Sequence, residues 1–307
     1  MHLLPVPGHL PFERRALSVA TRVAVAAITI DFGNTLVRTD RASFATVVDE
    51  TADALTRQGL VMDRAAFLVA WAEERDRQFR EEVPLFREVD VNQRAVRVLA
   101  RLRGMDPPPA DERWDDLAAA ARVAPEEIDV VVDAYSKAFI DRMEPVHDAG
   151  ATLARLASDG FALAILSNWP LAVTIDRYAE AQGWLPFLRA IVVSQRVGTI
   201  KPHPSIFRAA EEELGFGTSS SGGGTRRPPI LHVGDDWAAD VVGGSRAGWR
   251  TAYLRDRQGD TPLPTSEPGD GVASDEQVEA DLVIDELGEL PERVELDRIA
   301  ASTLAPA

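Results

Sequence analysis

Short apolar segments alternate with longer amphipathic stretches along most of this chain. Six apolar segments have strand length and are rich in valine, isoleucine and alanine: 25 to 30, 162 to 166, 190 to 194, 230 to 234, 251 to 254 and 282 to 284. Continuous apolar runs of this length are typical of strands buried on both faces of a sheet. Because helical stretches separate most of them, the pattern predicts an α/β fold with a doubly wound parallel sheet.

The region between the first two predicted strands has a different period. It contains no strand-like run, and its apolar residues recur three or four positions apart in five stretches: 42 to 58, 64 to 82, 90 to 103, 111 to 121 and 126 to 142. This spacing is typical of amphipathic helices. We therefore predict an all-helical domain over 39 to 145, inserted into a discontinuous α/β core formed by 1 to 38 and 146 to 307.

Three segments fit neither pattern. Residues 1 to 20 carry prolines without a clear period, 217 to 229 are rich in glycine and serine, and 256 to 280 are acidic with many prolines and glycines. Such compositions are typical of flexible loops. We predict that the second and third segments are surface insertions, and the sequence leaves open whether any of the three is ordered.

Composition narrows the classes of function. The chain has 307 residues, 45% of them hydrophobic, a formal net charge of −16 and no cysteine. The apolar content suffices for globular cores, whereas the negative charge disfavours nucleic acids and anionic membranes as partners. Without cysteine there are no disulfides or thiolate sites. No segment reaches the roughly 18 consecutive apolar residues of a membrane span, so we predict a cytoplasmic protein.

Polar motifs near the ends of four predicted strands carry the candidate chemistry. They are IDFGNTL at 30 to 36, ILSNW at 165 to 169, GTIKPHP at 198 to 204 and HVGDDWAAD at 232 to 240. Open α/β sheets bind ligands at the carboxyl ends of their strands, so we expect the motifs to converge. Together they supply a carboxylate, a hydroxyl, an ammonium and an acidic cluster, which indicates metal-assisted phosphoryl transfer.

Each motif contributes a residue type that this chemistry uses. Asp31 ends the first strand, where a carboxylate can attack phosphorus, although an aspartate there is also typical of a turn. Ser167 and Asn168 follow the second strand, where a hydroxyl and a backbone N–H can hold a phosphoryl oxygen. Lys201 is one of only two lysines among 33 basic residues. Its choice over arginine indicates that a compact ammonium is needed at this position.

The acidic cluster in the fourth motif predicts a cation. Asp235 and Asp240, with Asp31, would gather more negative charge than a crevice holds alone, and carboxylate oxygens suit Mg²⁺. The same GDD sequence is also compatible with a hairpin or a helix start, and the role of Asp236 stays open.

The order of the four motifs resembles that of the haloacid dehalogenase superfamily, most closely its phosphatases with a C1-type helical cap. The resemblance covers about residues 25 to 295. It implies a Rossmann-like core, a cap that selects the substrate, and a small phosphorylated metabolite as substrate. It implies catalytic roles for Asp31, Ser167 and Lys201, and phosphate contacts from Thr35, Ser167, Asn168 and Lys201. It also implies a Mg²⁺ held by Asp31, the Gly33 carbonyl, Asp235 and Asp240.

The first motif departs from the common pattern of these phosphatases. Gly33 stands where the usual second aspartate would protonate the leaving group, which gives a DxGNT variant. The departure leaves two alternatives open: a 2-haloacid dehalogenase, which needs no such acid and no metal, or a catalytically impaired binding or regulatory protein. Neither the substrate nor the choice between monomer and dimer follows from the sequence.

Overall fold

The computed structural model of the protein describes residues 22–106, 119–216, 229–255, 260–268, 278–302 and 304. Several sequence predictions therefore concern residues outside the described ranges. They are the extension at 1–20, most of the helix predicted at 111–121, nearly all of the loop at 217–229, and parts of the insertion at 256–280.

Parallel strands form the centre of the molecule, as predicted. The strands are β1 (Val23–Val25), β2 (Ala27–Ile30), β3 (Ala162–Ser167), β4 (Ala190–Val193), β5 (Ile230–Gly234), β6 (Arg250–Leu254), β7 (Leu282–Ile284) and β8 (Val294–Leu296). Six of them build one sheet in the order β4-β3-β2-β5-β6-β7, and every neighbouring pair is parallel. Because β2 lies between β3 and β5, the first, second and fourth motifs end side by side.

The first apolar run is divided between two sheets, which the sequence did not predict. Val23–Val25 pairs in parallel with Val294–Leu296 in a separate two-stranded sheet. The chain changes sheets at Ala26, whose N–H donates to the Pro229 carbonyl over 2.7 Å. A continuous apolar run shows that its residues are buried and does not show where the pairing changes.

Four α-helices of the described chain lie within 39–145, the region between β2 and β3 that was predicted to be all-helical. They are α1 (Arg41–Arg57), α2 (Arg64–Glu81), α3 (Val91–Leu102) and α4 (Pro125–Arg142). The first three begin with aspartate caps, because the side chains of Asp40, Asp63 and Asp90 accept hydrogen bonds from backbone N–H groups of the first turn. Such caps satisfy N–H groups that have no partner within the helix. The buried side chains of this region include Phe67 and Trp71, whose ring centroids are 5.4 Å apart.

The remaining helices surround the sheet. They are α5 (Ala149–Ser158), α6 (Ala172–Ala181), α7 (Ser194–Val197), α8 (Pro204–Leu214), α9 (Gly243–Arg246), α10 (Leu290–Arg293) and α11 (Arg298–Ala301), with a π-helical turn at Trp237–Val242. This arrangement is the predicted α/β, Rossmann-like architecture with an all-helical insertion. No helix in the described part of the chain combines the length and apolar character that crossing a bilayer requires.

Residues 86–91, here called the docking segment, make one of the contacts between the helical insertion and the core. The Phe86 carbonyl accepts a hydrogen bond from Ile200 N over 3.1 Å, and Val91 N donates to the Pro170 carbonyl over 3.0 Å. Between them, the Glu88 carboxyl group accepts a hydrogen bond from the hydroxyl of Ser194. The docking segment is therefore attached to the loops that follow β3 and β4.

Candidate active site

The sheet register brings the first, second and fourth motifs to one edge. Ile30, the last residue of β2, pairs with Ile165 on β3 and with Val233 on β5. Asp31 follows Ile30, and its N–H donates to the Val233 carbonyl over 2.9 Å. Ser167 and Asp235 each lie two residues past the partners of Ile30, so they leave their strands near the Asp31 side chain.

Lys201 connects the carboxylates of two motifs. Its Nζ donates to Asp31 Oδ1 over 2.9 Å, to Asp240 Oδ1 over 2.7 Å and to the Leu166 carbonyl over 2.9 Å. An ammonium has three N–H donors, and all three are used. The side chain is 2% exposed, so the ammonium beside Asp31 is almost completely removed from water.

Asn168 holds the backbone of Lys201. The Lys201 N–H donates to Asn168 Oδ1 over 2.6 Å, and Asn168 Nδ2 donates to the Lys201 carbonyl over 3.0 Å. Both ends of the amide are engaged in this way. The side chain of Asn168 thus positions Lys201. Any contact between Asn168 and a phosphoryl group would come from the Asn168 backbone.

Both carboxylate oxygens of Asp240 have donors. Oδ1 lies 2.7 Å from Lys201 Nζ and 3.0 Å from His232 Nε2, and Oδ2 accepts from Asp236 N over 2.9 Å. His232 is fully buried on β5, and its Nδ1 lies 2.8 Å from Thr29 Oγ1. His232 is not among the site residues predicted from the sequence. A histidine within a strand buried on both faces needs polar partners, and this requirement could have identified His232 from the sequence.

Asp31, Asp235 and Asp240 lie close enough to share a cation. One carboxylate oxygen from each falls within 4.8 Å of the others. Among the described residues, Asp235 accepts long hydrogen bonds from Asn34 Nδ2 over 3.3 Å and from Thr35 Oγ1 over 3.4 Å. Its oxygens thus keep capacity for a metal, whereas Asp240 already has a donor on each oxygen. Thr35, predicted to contact phosphate, is instead directed at Asp235 in this structure.

The ionisation of the cluster reflects its burial and its excess of acids. Burial raises the pKa of Asp31, and the charge of Asp240 adds to this effect. The pKa of Asp235 is raised well above its usual value by burial and by the charges of Asp31 and Asp240. Burial opposes ionisation of Asp240 and Lys201 as well, but the combined effect of their partners outweighs it. Lys201 and His232 together lower the pKa of Asp240, and Asp240 and Asp31 together raise that of Lys201. Added positive charge would stabilise the remaining carboxylates.

Ser167 presents a buried hydroxyl at the end of β3. The residue is 1% exposed, and its Oγ has no hydrogen-bond partner among the described residues. Buried polar groups without a partner are costly and uncommon in folded proteins. A hydroxyl of this kind at the end of β3 is available to a ligand oxygen.

Residues 260–268, here called the strap, lie against the first and fourth motifs. Thr261 Oγ1 accepts from Asn34 Nδ2 over 3.2 Å, and Ser266 Oγ donates to Asp236 Oδ1 over 2.6 Å. Composition predicted a surface insertion over 256 to 280, and half-buried positions in the strap show that this description is incomplete. Proline, serine and threonine are common in flexible loops, but the hydroxyls also give a loop the means to dock.

Comparison with known proteins shows the family to which the chain is similar. The family model for haloacid dehalogenase-like hydrolases matches residues 25–248. The ribulose-1,5-bisphosphate 5-phosphatase of Halopiger xanaduensis is 30% identical over 162 residues, which are 53% of this chain and 62% of that protein. The glyceraldehyde 3-phosphate phosphatase of Methanopyrus kandleri is 29% identical over 178 residues, which are 58% of this chain and 65% of that protein. The match therefore spans less than two thirds of either relative.

A solved structure supports the fold. The 2-haloacid dehalogenase of Pseudomonas syringae pv. Tomato DC3000 superposes with a TM-score of 0.56 at 19% identity, covering 87% of this chain and 97% of that one. At this identity the likeness concerns the fold alone. With the family match extending over most of the chain, this protein belongs to the haloacid dehalogenase-like hydrolases.

Proposed function

We propose that this hydrolase is a Mg²⁺-dependent phosphatase that acts on a small phosphomonoester through an aspartyl-phosphate. The observation that carries the proposal is the charge of the site: the buried carboxylates of Asp31, Asp235 and Asp240 have a single ammonium, that of Lys201, hydrogen-bonded among them. A divalent cation would compensate this excess. A dehalogenase has no use for an additional cation, so the acidic cluster favours phosphoryl chemistry.

The residues that would hold Mg²⁺ are Asp31 and Asp235, with the Gly33 carbonyl as a third ligand. Asp240 then acts from the outer shell, because its oxygens are occupied by Lys201, His232 and the Asp236 N–H. When bound, the cation neutralises charge on the phosphoryl oxygens and keeps Asp31 ionised.

In the proposed reaction, a carboxylate oxygen of Asp31 attacks phosphorus in line, and the bond from phosphorus to the leaving oxygen breaks. Lys201 restrains Asp31 and offsets charge on the transferred group, while the unpaired hydroxyl of Ser167 donates to a phosphoryl oxygen. The leaving oxygen takes its proton from water, since Gly33 supplies no acid. A second water then attacks phosphorus, which releases phosphate and regenerates Asp31.

The relatives support this assignment by their names, as both are phosphatases of small phosphorylated compounds. The role of residues 39–145 as a substrate-selecting cap belongs to the same proposal, and a cytoplasmic location stays a prediction. Gly33, which supplies no side-chain acid, is compatible with a dehalogenase or a binding protein, but the acidic cluster of Asp31, Asp235 and Asp240 favours the phosphatase.

The decisive variant is Asp31→Asn, with Asp141→Asn as its matched control. Asp141 forms an exposed ion pair with Lys137, so its loss should leave turnover unchanged. We expect Asp31→Asn to lower phosphate release by about 10³-fold or more with an unchanged circular dichroism spectrum. Undiminished turnover in that variant contradicts the mechanism.

The substrate class is tested with sugar, nucleotide and acyl phosphates, each with Mg²⁺ and with EDTA, alongside 2-chloropropionate. Metal-dependent phosphate release supports the proposal. Metal-independent halide release identifies a dehalogenase, and the absence of both products, together with failure to form a fluoroberyllate adduct with Mg²⁺, indicates a binding protein.

A further inference from the structure

The strap, residues 260–268, extends from the first motif to the fourth. At its start the Asp260 carbonyl accepts from Arg41 N over 3.0 Å, at the first residue of α1. Further along, Thr261 Oγ1 lies 3.3 Å from Thr39 Oγ1 and accepts from Asn34 Nδ2. The strap thereby contacts the same asparagine that donates to Asp235.

The other end of the strap is held by the π-helical turn after the fourth motif. The Ser266 carbonyl accepts from Trp237 N over 3.1 Å, and Ser266 Oγ accepts from Ala238 N over 2.7 Å. The same hydroxyl donates to Asp236 Oδ1. A segment fixed at both ends by several hydrogen bonds has one preferred position against the first and fourth motifs.

Between these anchors, Leu263 occupies the space beside Gly33. A Cβ added at Gly33 would lie 2.5 Å from Leu263 Cδ1 and 3.3 Å from Cζ3 of Trp169. Leu263 is half-buried and packs against the main hydrophobic cluster, and Trp169 is 1% exposed. Leu263, from a distant part of the chain, therefore occupies the space that a side chain at position 33 would need.

We propose that Leu263 is a specificity-determining residue, and that the strap forms a fixed apolar wall of the active site next to the leaving group. The inference rests on the proposed phosphatase function. In-line attack by Asp31 directs the leaving group away from the sheet edge, toward the mouth between the motifs that the strap connects. The wall restricts the substrate to a compact leaving group that departs without a side-chain acid, such as that of an acyl or anomeric phosphate.

Leu263→Ala tests the wall, with Leu185→Ala as its control. Leu185 is 43% exposed and lies outside the site. The probes are acetyl phosphate, phenyl phosphate and 1-naphthyl phosphate, the last two having phenols of similar acidity. We expect Leu263→Ala to raise kcat/KM for the naphthyl ester at least tenfold relative to the phenyl ester, with acetyl phosphate changed less than twofold. An equal change for all three substrates overturns the proposal.

A disulfide tests the position of the strap without relying on activity. The natural chain has no cysteine, so Thr39→Cys/Thr261→Cys introduces the only two thiols. If the strap lies as in the structure, mild oxidation joins them, and mass spectrometry shows a loss of two hydrogens. Failure to form the bond overturns the proposal, as does loss of acetyl phosphate hydrolysis that reductant restores, because a fixed wall need not open.

These outcomes separate the two levels of inference. If the disulfide forms but the natural protein releases no phosphate from any substrate, the phosphatase assignment fails while the docked strap stands. If phosphate is released but Leu263→Ala alters no substrate preference, the phosphatase assignment stands and the proposed wall is wrong.

Gly33→Asp provides a further check. An acid at this position should increase activity on phenyl phosphate only when it is combined with Leu263→Ala, which makes space for the carboxyl group.

Discussion

The two lysines of this chain pair with carboxylates at nearly the same distances but in opposite surroundings. Lys137 Nζ lies 2.6 Å from Asp141 Oδ2 with its side chain 77% exposed. Lys201 Nζ lies 2.7 Å from Asp240 Oδ1 and 2.9 Å from Asp31 Oδ1 with its side chain 2% exposed. Water screens the first pair, and an exposed pair contributes little. The second pair was desolvated on folding, and each charge in it depends on the others.

The comparison shows that distance alone does not rank ion pairs. Removing one partner of an exposed pair leaves a hydrated charge, whereas removing Lys201 leaves buried carboxylates without compensation. The cost of such a site is consistent with a functional role, because buried ion pairs are not needed for stability.

The largest expected effect comes from removing each charge in turn. Lys201→Met should lower kcat/KM by about 10³-fold or more and the free energy of unfolding by about 3–5 kcal/mol. Lys137→Met should alter neither quantity measurably, as its partner stays in water. Urea denaturation and phosphate release measure the two effects, and similar losses in both variants would remove the basis of the comparison.

Exchanging ammonium for guanidinium sharpens the same contrast. Lys201→Arg retains the charge, but a planar, larger group does not fit among Asp31, Asp240 and the Leu166 carbonyl. We expect about a 10²-fold loss of kcat/KM, against less than a twofold change in Lys137→Arg. Full activity in Lys201→Arg would show that charge alone suffices at this position.

Metal binding should relieve the carboxylates that Lys201 leaves uncompensated. In the natural protein, Mg²⁺ at 100 times its Kd should raise the free energy of unfolding by about 2.7 kcal/mol. Asp235→Asn removes an acid whose pKa is raised by burial and by Asp31 and Asp240. We expect it to stabilise the metal-free protein and to abolish most of the response to Mg²⁺. Thermal unfolding with Mg²⁺ and with EDTA tests this, and Asp141→Asn should behave like the natural protein.

Glu88 is a half-buried acid whose carboxyl group accepts a hydrogen bond from the Ser194 hydroxyl, and its replacement should give the smallest effect. Burial raises its pKa from 4.5 to about 7. The folded state therefore holds this proton more tightly than the unfolded state, and the associated stability is fully present below pH 4.5 and is lost as the pH rises through 7. Glu88→Gln should reduce this loss in urea titrations between those pH values.

Glu73→Gln is the control for that titration, since Glu73 forms an exposed pair with Arg101. Its stability should follow the same pH dependence as the natural protein. A Glu88→Gln profile that coincides with both would show that Glu88 ionises normally in the folded state.

Periodicity predicted the sheet because buried parallel strands leave an apolar signal in the sequence. The runs at 162–166 and 230–234 appear as β3 and β5 nearly to the residue. The motifs at their ends converge because the sheet order places β3 and β5 on either side of β2. That order depends on long-range pairing, which no local pattern encodes, so the convergence was an expectation drawn from the fold class.

Other features of the site depend on contacts that composition does not show. The strap has loop composition, and its docking depends on a few hydroxyls that meet Asn34 and Asp236 across more than 200 and about 30 residues of sequence respectively. The contacts of Lys201 and His232 with Asp240 likewise depend on the orientations of three side chains, which the sequence does not show. Roles read from motif spacing alone did not distinguish a ligand of the cation from an anchor of the lysine.

The attachment of the docking segment has a consequence for how this protein can diverge. Two of its links, Ile200 N to the Phe86 carbonyl and Val91 N to the Pro170 carbonyl, join backbone to backbone. Backbone hydrogen bonds persist through most substitutions, because side-chain atoms do not take part in them. A lineage can therefore exchange the side chains of the helical insertion while these backbone hydrogen bonds beside Lys201 stay the same.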